Sequence, residues 1–60
     1  MSLTILEVLE NAKYNLKSDM AFQKEIGLRQ LSNAITCFEN GMKANDDFDE
    51  AKLIKMKEDS

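Results

Sequence analysis

Gly27-Leu28-Arg29-Gln30-Leu31-Ser32-Asn33-Ala34-Ile35-Thr36-Cys37-Phe38-Glu39-Asn40-Gly41-Met42 is the stretch whose periodicity governs the fold of this chain. A small residue returns every seventh position, at Gly27, Ala34 and Gly41, with Leu31 and Phe38 between them at the four-then-three spacing of a helix seam. Leu28, Ile35 and Met42 repeat the same period one residue along. A stripe of this kind predicts a long helix whose backbone approaches another helix closely. Gly inside a helix costs about 1 kcal/mol against Ala, so two on one stripe argue for a packing reason. The expected interface is therefore Gly27, Leu28, Leu31, Ala34, Ile35, Phe38, Gly41 and Met42.

The seam predicts a helix over residues 20–44, about 37 Å long at about 1.5 Å per residue. Before it, Ile5, Val8, Leu9, Ala12 and Leu16 make one apolar stripe and predict a helix over residues 3–17. Thr4 and Glu7 read as a capping box, with Leu3 and Val8 as its hydrophobic staple. Lys17-Ser18-Asp19 is the break between the two, and Ser18 or Asp19 is the expected cap of the second helix. A turn this short predicts an antiparallel hairpin, with one bent helix as the alternative. The first helix is shorter than the second, so Ile35, Phe38, Gly41 and Met42 need cover from the tail or from another subunit. Asn45-Asp46-Asp47 ends the second helix, and Asp47 with Glu50 starts a short amphipathic third one over residues 47–57. The fold class is all-α: one small domain over residues 1–60, assembled into a helical-bundle oligomer, with residues 57–60 expected to be mobile.

Size argues for the oligomer. Sixty residues bury only about 60% of their unfolded surface, and a lone cysteine leaves no internal disulfide to staple the chain. Cys37 beside the seam reads as a small buried hydrophobe. A net charge of −3 argues against a basic footprint for duplex DNA. No apolar run reaches membrane-spanning length, and no basic leader precedes an apolar core. A free cysteine and no export signal point to the cytoplasm.

Catalysis finds little support. There is no histidine, and Cys37 has no evident base. Asp46, Asp47, Asp49 and Glu50 lack the glycine turn and alternating ligands of a calcium loop and read as a solvated helix start. No metal and no cofactor are expected. A polar line on the second helix offers more. Arg29, Thr36 and Lys43 recur at seven-residue spacing, flanked by Ser32, Asn33, Glu39 and Asn40. Arg, Thr, Ser and Asn supply phosphate donors and base-edge partners without high net charge. Tyr14, off the core stripe of the first helix, is placed to stack on a nucleobase. The candidate ligand residues are Arg29, Thr36, Tyr14, Ser32 and Asn33; the bland reading is a solvated helix face.

The run from Arg29 to Met42, above all Arg29, Thr36, Phe38-Glu39 and Gly41-Met42, resembles the helical-hairpin domain of phage proteins that sequester cyclic-nucleotide immune signals, the sponges acting against CBASS and Thoeris defence. The resemblance implies a symmetric oligomer of hairpins, often a hexamer, binding cyclic dinucleotides or related signals between protomers. It matches Arg29 and Thr36 to polar ligand positions. Ala34, Phe38, Gly41 and the Asp-rich turn also look like the second helix of a tetratricopeptide repeat, which implies close helix-pair packing but no solenoid, since one half-repeat cannot stack. Three functional readings follow. One is a homo-oligomer that captures a nucleotide-type signal. Another is an interaction module or small regulator that binds a host protein through Ile35, Phe38 and Met42. The third, a small acidic enzyme or metal protein, has the weakest residue inventory behind it.

Overall fold

The computed structural model describes residues 3–58, and within them the chain forms three helices: α1 (Ile5–Leu16), α2 (Ala21–Glu39) and α3 (Glu50–Glu58). The expected mobile end at residues 57–60 falls partly on residues 59 and 60, outside those described.

α1 starts where the capping box predicts. Thr4 is the N-cap, in extended conformation. The Glu7 N–H donates to Thr4 Oγ1 at 3.2 Å, and the Thr4 N–H donates back to Glu7 Oε1 at 3.1 Å. The other free donors of the first turn are met from the tail. The Ile5 N–H reaches the Asp46 carbonyl at 3.0 Å and the Leu6 N–H reaches that of Ala44 at 2.9 Å. Thr4 forms an antiparallel bridge with Asp47. The donors that a helix start leaves unpaired are thus the anchor that brings residues 44–48 back beside α1.

α1 and α2 form the expected antiparallel pair. The contact is closest at Gly27. A Cβ there would sit 2.9 Å from Leu16 Cγ, 3.0 Å from the Ala12 carbonyl oxygen and 3.1 Å from Asn15 Cβ. Gly27 and Ala34 are both buried, so two members of the small-residue stripe do the work assigned to them.

The third does not. α2 ends at Glu39, five residues before the predicted 44, because Gly41 adopts φ +86°. Its N–H bonds the Phe38 carbonyl at 3.0 Å, and the Met42 N–H bonds that of Cys37 at 3.1 Å. This is the paired closure of a Schellman motif, with glycine in the left-handed position that favours it. A Cβ at Gly41 would meet nothing within 4 Å; the residue is there for its backbone, not for a neighbour.

Two caps also differ from expectation. The N-cap of α2 is Met20, without a side-chain hydrogen bond. Ser18 sits two residues too early, and its hydroxyl serves the turn instead, accepting from the Met20 N–H at 3.1 Å and donating to Gln23 Oε1. In α3, Asp49 rather than Asp47 takes the first-turn donors. Its Oδ1 accepts from the Ala51 N–H at 2.9 Å and the Lys52 N–H at 3.4 Å, while Asp47 is held in the bridge to Thr4. α3 therefore begins at Glu50, not at 47.

The core gathers Ile5, Ala34, Cys37 and Leu53, with Leu9, Met42 and Phe48 packed against it. Each helix contributes, and α3 packs beside the C-terminal half of α2, where Ile5 at the start of α1 also reaches Ala34 and Cys37. No described helix is long and apolar enough to cross a membrane.

Candidate functional site: the two outer faces of α2

At about 100° per residue, the residues of α2 sort into sectors around Gly27, which faces α1. Gln30, Asn33 and Cys37 lie to one side. Asn15 of α1 donates to Gln30 across the pair at 2.8 Å, and Lys57 of α3 donates to Asn33 at 3.0 Å. Cys37 is 2% exposed beneath this cover. Burial pushes the Cys37 thiol pKa above its ordinary value, which disfavours the thiolate that nucleophilic chemistry requires.

Leu28, Leu31, Ile35 and Phe38 lie to the other side, within a sector about 80° wide. No described residue closes it. Leu28 is 57% exposed, Ile35 48% and Phe38 39%; Leu31 is half-buried. Helical phase places Leu6 of α1, 47% exposed, on the same side. The result is an apolar strip on the surface opposite α3. Met42, expected to extend it, instead packs onto the chain's own core.

Arg29, Ser32 and Thr36 border the strip on the side of α2 turned away from α1. Arg29 and Ser32 are exposed, and Thr36 is half-buried. The Thr36 hydroxyl donates to the Ser32 carbonyl at 3.1 Å, and Asn40 Nδ2 donates to the Thr36 carbonyl at 2.8 Å. Asn33 is engaged by Lys57 on the α3 side. Tyr14, 75% exposed, is on the outer surface of α1. Within one chain, then, Arg29, Ser32 and Thr36 are neighbours, and Tyr14 stands apart from them.

Tyr14 instead lines an open hollow of about 300 Å³ with Lys17, Ser18 and Gln23. A second hollow, of about 240 Å³, is lined by Asn40, Lys52, Lys55 and Met56. Neither was legible as a periodic pattern, because each is made by a turn or by a helix crossing. The acidic residues of the tail have backbone duties: Asp46 Oδ2 accepts from the Lys43 N–H at 2.7 Å, and Asp49 caps α3. Among the described residues no three His, Cys, Asp or Glu side chains converge on a point that could hold a metal ion.

No family model matches the chain, and comparison with curated proteins and with solved structures returned no match.

Proposed function

We propose that this chain is a non-catalytic helical interaction module whose working surface is the apolar strip of α2. One observation carries the reading: Leu28, Leu31, Ile35 and Phe38 share a sector that stays open, although the chain folds a third helix over the opposite side of the same hairpin. Leu3, Tyr14, Met20, Phe22, Ile26 and Ile54 are exposed elsewhere, but Leu28, Leu31, Ile35 and Phe38, with Leu6 beside them, form one continuous apolar strip, and a continuous patch rather than a scatter marks a contact surface. The residue inventory agrees, since there is no histidine and the one thiol is covered.

Photo-crosslinking tests this directly. A benzophenone amino acid placed at 28 or 35 is expected to yield adducts in producing cells, and the same group at Glu25 or Arg29 is expected to yield few. Equal yields from all four positions would overturn the reading.

A second reading is supported by the position of the polar line. Arg29, Ser32 and Thr36 border the strip, so association through it brings the polar lines of two chains toward a shared rim. In that reading the assembled protein sequesters a small anionic, nucleotide-type signal, with the Arg29 guanidinium as the phosphate donor. Thermal shift against a panel of cyclic nucleotides tests it. Stabilisation by at least one member, lost in Arg29→Ala, is the expected result; no shift with any member would count against it.

A further inference from the structure

Resting on the reading of the strip as the working surface, we propose that its occupant is a second copy of this chain, laid antiparallel across Leu31 and Ile35, strip against strip. Three observations converge on it.

The first is spacing. Leu28, Leu31, Ile35 and Phe38 follow one another at three, four and three residues, the rhythm that lets one helix seat its side chains between those of another. The sector facing α1, with Gly27 and Ala34, is already filled. α2 thus carries two adjoining seams, one used within the chain and one open.

The second is area. The chain exposes 4606 Å². A folded monomer of 6.8 kDa is expected to expose about 3950 Å². The excess of about 650 Å² approaches the roughly 800 Å² that each partner of a standard-sized interface buries. Leu6, Leu28, Ile35 and Phe38 are the part of that surface which a two-fold axis buries against itself, Phe22, Ile26 and Ile54 lying outside it.

The third is charge. Lys24 lies in line with the strip toward the start of α2, and Glu39 lies at its edge at the other end; both are exposed. A parallel pair would set Lys24 against Lys24 and Glu39 against Glu39. An antiparallel pair centred between Leu31 and Ile35 brings Lys24 of one copy within about one helical turn of the second copy's Glu39, at both ends at once. Complementarity of this kind fixes orientation more than it adds affinity.

Sedimentation equilibrium from about 5 µM to about 1 mM, spanning weak to moderate affinities, is the first test. The mass should rise from that of one chain toward twice that value. Leu28→Glu with Ile35→Glu should hold it at one chain throughout, with helicity unchanged by circular dichroism. Glu39→Lys should weaken association at least several-fold, and adding Lys24→Glu should restore it. Spin labels at Lys24→Cys in a Cys37→Ala background should lie about 27 Å apart along the axis in the antiparallel pair, against about 10 Å in a parallel one.

A wild-type mass that stays at one chain to 1 mM, with the double variant folded, overturns the second copy as occupant and leaves the strip open to a different protein. A short spin–spin distance overturns the antiparallel arrangement. Unfolding of the Leu28→Glu/Ile35→Glu chain at low concentration makes the strip part of the core, and overturns both the working-surface reading and the inference built on it.

Discussion

Ile5 and Ile35 are the same side chain in two environments. Ile5 is 0% exposed, enclosed by Ala34, Cys37 and Leu53 from the other two helices. Ile35, on the helix that supplies two of those neighbours, is 48% exposed. Composition does not separate them, and neither does helix propensity. The tail does. Residues 44–48 are tied to the unpaired donors at the start of α1, and that tie delivers α3 to one side of the hairpin only. α3 covers Cys37 and its neighbours on one side of α2, while Leu28, Ile35 and Phe38 stay exposed on the other.

If α3 closes the core, truncating the side chain that seats it should be costly. Leu53→Ala is expected to lose about 2–3 kcal/mol, with faster hydrogen exchange confined first to residues 50–58 and to the residues around Cys37. Exchange rising evenly over the whole chain would mean that α3 is no separate cover.

The two glycines sharpen the comparison between a packed and an open position. Gly27→Val is expected to cost about 2 kcal/mol or more, because its branches enter space held by the Ala12 carbonyl and Leu16. Gly41→Ala is expected to cost about 1 kcal/mol through its positive φ alone. Urea unfolding reads both, and a larger loss at 41 than at 27 would reverse the assignment of close approach to Gly27.

On the open face, Leu28→Glu should move monomer stability by no more than about 0.5 kcal/mol. The smallest effect expected is one of pH. The Cys37 thiol pKa is raised in the folded chain, so its share of stability is complete below the unfolded value of about 8.5. That share is lost as pH climbs from there through the folded value. A melting series between neutral and alkaline pH should show a fall that Cys37→Ala makes shallower; parallel curves would remove Cys37 from the account.

Much of this was legible before any coordinates, and the failures share a cause. The capping box was readable because its parts lie three residues apart and answer only to each other. The hairpin and the close approach at Gly27 were readable because helical period and residue size both pointed the same way. Gly41 misled because fourteen residues bring it nearly into phase with Gly27, and periodicity cannot separate a glycine inside a helix from one just past its end. The start of α3 was read at Asp47, where Asp49 is the cap, since the difference rests on a bridge from Asp47 to Thr4 far away in sequence. The open strip was half visible: Ile35 and Phe38 were expected to need cover, but which residues the tail would reach depends on where the returning chain is tied. Arg29, Ser32 and Thr36 are neighbours because one helix carries them at helical spacing, whereas the hollow beside Tyr14 comes from the turn and leaves no repeat to read.

Paired unfolding free energies for Ile5→Ala and Ile35→Ala, taken at about 1 µM so that any weak association is negligible, bear most directly on the contrast between the two faces. The same atoms are deleted in both. The account predicts a loss of about 3 kcal/mol or more at Ile5 and under about 1 kcal/mol at Ile35. Equal losses would contradict it, because Ile35 would then belong to the core and α2 would have no open face to offer.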